Sequence, residues 1–171
     1  MATTYKPSYT ASATITIAPE NVASSSTRVA GVESTVVSNI SNLYDNCVIS
    51  GKWTAGTSPT ANKQVDIWVY VPLSDDLAST VTYPDVIDGT SSAETMTSEN
   101  VRNSGLYHAH TIIVDSTSDR VYPVRPFSLI RVCGFMPTRW GLFIAHDTAV
   151  NSNSTAGNHS WSYVGIQYQG V

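Results

Sequence analysis

VDIWVYV (residues 65–71) alternates strictly between two kinds of side chain. Successive side chains of an extended chain point to opposite sides. Val65, Ile67, Val69 and Val71 therefore share one face, and Asp66, Trp68 and Tyr70 share the other. The pattern predicts a β-strand with its aliphatic side in a core. Comparable runs recur along the chain: ATITIA (13–18), LYDNCVISGKW (43–53), LYHAHTIIVD (106–115), FSLIRVCG (127–134), WGLFIAHD (140–147) and SWSYVGIQYQ (160–169), with a shorter one near RVAGVEST (28–35). No window keeps apolar residues at i, i+3, i+4 and i+7, so helix is expected to be nearly absent. Turn residues punctuate the runs at GTSPTANK (56–63), DSTSDR (115–120), MPT (136–138) and NSNSTAGN (151–158). About eight short strands with unequal connections predict an all-β fold, an antiparallel β-sandwich of the jelly-roll type.

Composition agrees. A chain of 171 residues suits one domain with a sizeable core. Charged residues make up 13%, about half the usual share, while roughly a quarter of the chain is Ser or Thr. Thr favours strands and Ser favours turns. The net charge of −4 argues against a nucleic-acid binder, which needs a basic face. No apolar stretch approaches membrane-spanning length, and MATTYKPSYTASATITI lacks the basic start and apolar run of a secretion signal. Cys47 and Cys133 both sit in apolar runs and are expected to be reduced, acting as small hydrophobes.

Two segments are expected to stand outside the sandwich. Residues 1–12 are polar, contain Pro7, Tyr5 and Tyr9, and read as an extended N-terminal arm; residues 13–171 form the single jelly-roll domain. Residues 73–105 are a connection far longer than usual. That insertion holds Asp75, Asp76, Asp85, Asp88, Glu94 and Glu99 against Arg102, a net of −5, which with a total of −4 leaves about +1 elsewhere. DVIDG (85–89) resembles part of a calcium loop but lacks the further regularly spaced oxygen ligands. Tyr5, Tyr9 and Tyr83 are candidates for contacts with other chains, whereas Trp53, Trp68, Tyr70, Trp140 and Trp161 fall in strands and are expected in the core.

His108 and His110 lie two apart in a strand, a spacing that places both imidazoles on one face. Asp115 and His146 would then complete a cupin-like metal set. Several features oppose it: Gly105 stands only three residues before His108, Asp115 is shorter than the customary Glu, and DSTSDR makes Asp115 a turn former. His159 reads as a loop residue. There is no G-x-S-x-G elbow, no phosphate-binding glycine loop and no H-E-x-x-H. The sequence thus offers no catalytic residue, no cofactor-binding residue and no metal ligand; it reads as a protein that is not an enzyme.

One further stretch points to a function. In SSSTRVAGVESTVVSNISNLYDNCVISGKWTAGTSPTANKQVDIWVYV (24–71), Arg28, Gly31, Glu33, Ser34, Val37 and Asn39 precede SNLYDNCVISGK, a GTSPT turn and the strand QVDIWVYV. This order resembles jelly-roll capsid decoration (cement) proteins of tailed bacteriophages, and the closing WSYVGIQYQGV is similar in style. The resemblance implies a structural virion protein on the capsid surface, assembled in the host bacterial cytoplasm. Its partners would be the major capsid protein and copies of itself, as a dimer or trimer, with no nucleic acid, membrane or cofactor. A carbohydrate-binding tail or fibre module is the alternative.

Overall fold

The structure, a computed structural model, describes residues 5–77 and 80–170. The first four residues of the expected arm and residues 78–79 of the insertion lie outside the described residues. In chain order the first elements are β1 (Tyr5–Tyr9), β2 (Ala13–Thr14), β3 (Ala30–Glu33), β4 (Val37–Ser38), β5 (Asn46–Thr54) and β6 (Gln64–Tyr70). The insertion supplies β7 (Ser74–Asp75), β8 (Val81–Thr82), β9 (Ala93–Thr95) and a short helix α1 (Glu99–Gly105). Then come β10 (Tyr107–Ile113), β11 (Val121–Ser128), helix α2 (Leu129–Cys133), β12 (Arg139–His146) and β13 (Ser160–Gly170). Strand accounts for 44% and helix for 7%.

The strands form two main antiparallel sheets. One runs β1-β13-β5-β11, with β2 also on β13; the other runs β10-β6-β12-β3-β9, with β4 also on β12. Between them lies the main core. From β6 it receives Val65, Ile67 and Val69, with Val71 just beyond, which is the aliphatic face that the alternation predicts. Ile49 and Trp53 of β5, Leu142 and Ile144 of β12, and Trp161 of β13 meet them, all buried. Each such side chain contributes roughly 1.5–3 kcal/mol by leaving water. Cys47 and Cys133 are free and buried there, and desolvation pushes both thiols up to about 12, so neither is reactive.

The second face of β6 is buried too. Trp68 and Tyr70 pack with Phe143 and Ala145 of β12 under Ile87, Met96 and Leu106 from the insertion and its exit. Residues 73–105 are therefore a covering layer with its own small core, and β9 extends the sheet by pairing with β3. Arg102, the insertion's one base, is buried: its guanidinium lies 4.4 Å over the Trp68 ring and donates to the carbonyls of Thr27 and Arg28, each at 2.7 Å. Tyr83 is half-buried edge-on against Tyr70, so part of the ring is already used within the fold. Trp53, Trp68, Tyr70, Trp140 and Trp161 are all buried, as expected.

FSLIRVCG is a correction. Only its first two residues are strand; Leu129–Cys133 is helix α2. The Ser128 side chain caps it by accepting from the Arg131 N–H, and Asn46 Oδ1 accepts from the Ile130 N–H. Gly134 closes it at φ 82°, a left-handed position suited to glycine. The strand that belongs before it, β11, was masked by Pro123 and Pro126. Both prolines are tolerated because β11 is an edge strand.

A β-carbon at Gly141 would overlap the Tyr70 ring, which pairs directly opposite it. Gly141→Ala is expected to destabilise the protein by about 1–3 kcal/mol, the usual range for overpacking. Urea unfolding followed by tryptophan fluorescence measures it, and an unchanged midpoint would contradict the packing described.

Candidate functional site

The two histidines of β10 do not share a face. The register against β6 shifts between them: His108 lies opposite Trp68, and His110 lies opposite Ile67. One extra residue, a β-bulge, reverses the alternation. His110 therefore follows Ile112 toward the inner side, half-buried, where desolvation, Arg125 and His108 hold its pKa low. His108 stays on the outer side with Thr111. Its Nε2 is 2.9 Å from Thr111 Oγ1, which in turn donates to Asp66 Oδ1 at 2.5 Å.

Asp66 is nearly fully buried on the outer face of β6, and its charge is met locally. Arg28 Nε lies 2.7 Å from Asp66 Oδ2, and Arg28 Nη1 lies 3.3 Å from Asp147 Oδ2. Asp147 in turn accepts from the Gln64 N–H at 2.6 Å. A buried carboxylate without such partners would cost several kcal/mol. This network fastens the outer face and offers no free nucleophile, since the Thr111 proton is committed to Asp66.

The remaining members of the cupin-like set are elsewhere. Asp115 accepts from the Thr117 N–H and the Tyr122 hydroxyl and pairs with Arg120, as a turn former does. His146 and His159 are both buried and flank Trp53, with ring centroids 5.4 and 6.1 Å away. His159 Nδ1 accepts from the Thr54 N–H, so its Nε2 donates to the Asn153 carbonyl at 3.0 Å. His146 Nε2 lies 3.0 Å from the Val22 carbonyl, and its Nδ1 lies 2.9 Å from Thr148 Oγ1. Burial holds both imidazoles below the usual histidine range. His159 is thus beside a loop, as read, but serves as a buried brace.

Among the described residues, one cluster has metal-ligand geometry, and it is not the histidines. Oxygen atoms of Glu33, Asp88 and Glu94 lie within 4.8 Å of one another. Glu33, on the outer side of β3, is fully buried. It accepts from the N–H groups of Asp88 (3.1 Å) and Gly89 (3.2 Å) and from Ser92 Oγ (3.3 Å). These bonds tie DVIDG to the sheet. Desolvation above all raises the Glu33 pKa to about 7, and the Asp88 charge adds to it. Insertion acids are engaged elsewhere too: Asp85 accepts from Thr97 and Asp88 from Thr90 within the segment, while Asp75 reaches Thr138 and Arg139 outside it.

What remains unengaged is a surface. The strands of the β1-β13-β5-β11 sheet contain no Asp or Glu, only Lys6, Lys52 and Arg125. Cross-strand partners share a face, so Tyr5, Pro7 and Tyr9 lie on the same outer side as Gly170, Tyr168 and Ile166. Val164, Val48, Ser162 and Ser50 continue that side inward. Tyr5, Tyr9 and Tyr168 are 67%, 65% and 59% exposed. No protein family, no curated protein and no solved structure matches this chain.

The buried titrating groups oppose one another. His146 and His159 have folded pKa values below the model-peptide value of 6.5, so they favour the native state at high pH and cease to do so as pH falls below 6.5. Glu33 is raised from 4.5 to about 7, so its contribution is present below pH 4.5 and lost as pH rises through 7. In Glu33→Gln the histidine trend alone remains. Its stability at pH 8 minus that at pH 5 should be more positive than in the unsubstituted chain, read from urea titrations at both pH values. An identical difference would mean that Glu33 titrates normally.

Proposed function

We propose that this chain is a structural virion protein that binds and stabilises the outer surface of a phage capsid. The observation that carries the reading is the inequality of the two outer faces. One sheet is covered by the acidic insertion, whose core seals Trp68 and Tyr70. The other carries no carboxylate on its strands, has half-buried Val48, Ser50, Ser162, Val164 and Ile166 across its middle, and is edged by three exposed tyrosines. A plate with one adhesive side and one acidic, hydroxyl-rich side suits a protein that lies on a shell and faces solvent. Tyrosines are effective anchors because they bring large area with little rotamer freedom to lose. The order of residues in 24–71 supports the same reading, as does a sandwich read as a jelly roll.

In this reading the carboxylate-free, tyrosine-edged face docks on the major capsid protein and the insertion points outward. Copies associate as a dimer or trimer, and simultaneous engagement of several copies makes a weak single contact strong. Analytical ultracentrifugation at micromolar concentration should show a species larger than the monomer; monomer alone would count against self-association in solution.

Docking is tested with capsids assembled without the protein. The chain should sediment with them. A triple variant, Tyr5→Ser, Tyr9→Ser and Tyr168→Ser, should remain folded, because these side chains are exposed, yet bind at least about tenfold more weakly. Failure of the unsubstituted chain to sediment at any salt concentration would overturn the capsid reading. Equal binding by the variant would move the contact away from the tyrosine edge.

A further inference from the structure

We propose that the loop end of the sandwich holds a pocket for a single uncharged pyranose ring, a binding function separate from capsid docking. Loops from four parts of the chain, around Asn21, Gly56, Asp119 and Asn151, border a half-open pocket of about 280 Å³. Ligand sites for drug-sized molecules run to roughly 300–1,000 Å³, so this one has room for one ring and not for a chain.

The floor is rigid. Ser152 and Asn153 are buried, and their bonds are already made. Ser152 Oγ donates to the Pro19 carbonyl at 2.6 Å and accepts from the Val22 N–H at 2.8 Å. Asn153 Oδ1 accepts from the Thr155 N–H and Asn158 Nδ2, each at 2.9 Å, and Nδ2 donates to Asp119 Oδ1 at 2.7 Å. That last bond fixes the Asp119 carboxylate and leaves Oδ2 without a protein donor among the described residues.

The rim is unengaged. Thr57 and Ser154 line the cavity and their hydroxyls bond to no described residue, and Asn151 uses only Nδ2, toward Asn21 Oδ1 at 3.0 Å. A carboxylate, an amide and two hydroxyl residues with bonding capacity to spare thus border one small space. Adjacent sugar hydroxyls match such a set, donating to the oxygens and accepting from the hydroxyls.

The same lining excludes other ligands. Asp119 is the one ionised residue in it, so phosphates and acidic sugars are repelled. Val150 is its one large apolar side chain and no aromatic is present, which excludes lipids and aromatic ligands. One carboxylate is too little for a calcium site, which draws on several acidic oxygens.

Backbone geometry concentrates here as well. Asn21 and Asp119 have φ values of 56° and 55°, and Ser58, Asn62 and Ala149 in the same loops are also left-handed. A β-carbon at Gly56 would strike the Asn151 carbonyl, so only glycine lets these loops close on each other. Sparsely populated conformations gathered around one polar cavity mark a site that the fold holds in shape.

Saturation-transfer NMR on the full chain tests the proposal with methyl glycosides of glucose, galactose, mannose and N-acetylglucosamine, and with methyl glucuronide. At least one neutral glycoside should bind, in the millimolar range expected of one small ring, and the glucuronide should not. Asp119→Asn, which keeps the left-handed turn, should weaken binding by about tenfold or more, and Thr57→Val should weaken it less. Unchanged melting temperatures establish that both variants are folded. The proposal fails if no neutral glycoside binds, if the glucuronide binds equally well, or if neither variant alters binding. Capsid sedimentation of Asp119→Asn should match that of the unsubstituted chain, so loss of sugar binding and loss of docking are separate results.

Discussion

Burial of β6 on both faces is the constraint from which most of the structure follows. Val65, Ile67 and Val69 are buried between the sheets, and Asp66, Trp68 and Tyr70 are buried on the opposite side. An antiparallel sheet ordinarily leaves one face to water. Here the outer face carries an indole, a phenol and a carboxylate that need a cover and specific partners. The insertion supplies the cover. Arg102 lies on Trp68, Tyr70 donates to the Ser34 carbonyl at 2.6 Å, and Arg28 pairs with Asp66. Removal of any one partner would leave a buried polar group unmatched, at about 1–3 kcal/mol or more.

The same constraint explains where the acidity goes. A net charge of −5 in one segment suggests a solvated loop or an ion site, yet its carboxylates mostly fold the segment upon itself. Asp85 and Asp88 accept from Thr97 and Thr90, and Asp75 accepts from the Leu77 N–H, which shapes turns with few apolar residues, while Asp75 also reaches out of the segment to Thr138. Glu33 then joins the segment to the sheet from below. Among the described residues, the tyrosine-edged sheet carries no comparable insertion. The asymmetry between the faces arises from one insertion and one doubly buried strand.

The fold was legible where apolar residues recur in strand runs: β5, β6, β12 and β13 each overlap a run read as a strand and extend past it by one residue at one end. It was obscured where tertiary context decides. Pro123 and Pro126 disguise β11, whose edge position cannot be read locally. A single bulge separates His108 from His110, and bulges leave no mark in the alternation of residue types. His146 and His159 carry no signal of burial, because the tryptophan between them comes from a strand about a hundred residues distant in sequence. The cavity is likewise assembled from four separated loops, three of which read only as turns and one, around Asn21, as nothing in particular. Asn21 and Asp119, residue types able to adopt left-handed geometry, carry the one local trace of it.

The N-terminal arm changes the energetics expected of docking. An arm free in solution would lose roughly 1–2 kcal/mol of backbone entropy per residue on binding. Tyr5–Tyr9 is instead already a strand, paired residue for residue with Ile166–Gly170, so much of that ordering precedes contact. Thr10 N–H donates to the Gly165 carbonyl, which by alternation directs the N–H positions of Tyr5, Pro7 and Tyr9 away from β13. Pro7 therefore sits where its missing N–H costs no ladder bond, and it blunts the outer edge against another strand. Main-chain pairing is discouraged at the very place where side chains are most exposed. Under the proposed function, contact at this edge would fall to the faces of Tyr5, Tyr9 and Tyr168, which would favour specific docking of a preformed surface over open-ended strand addition.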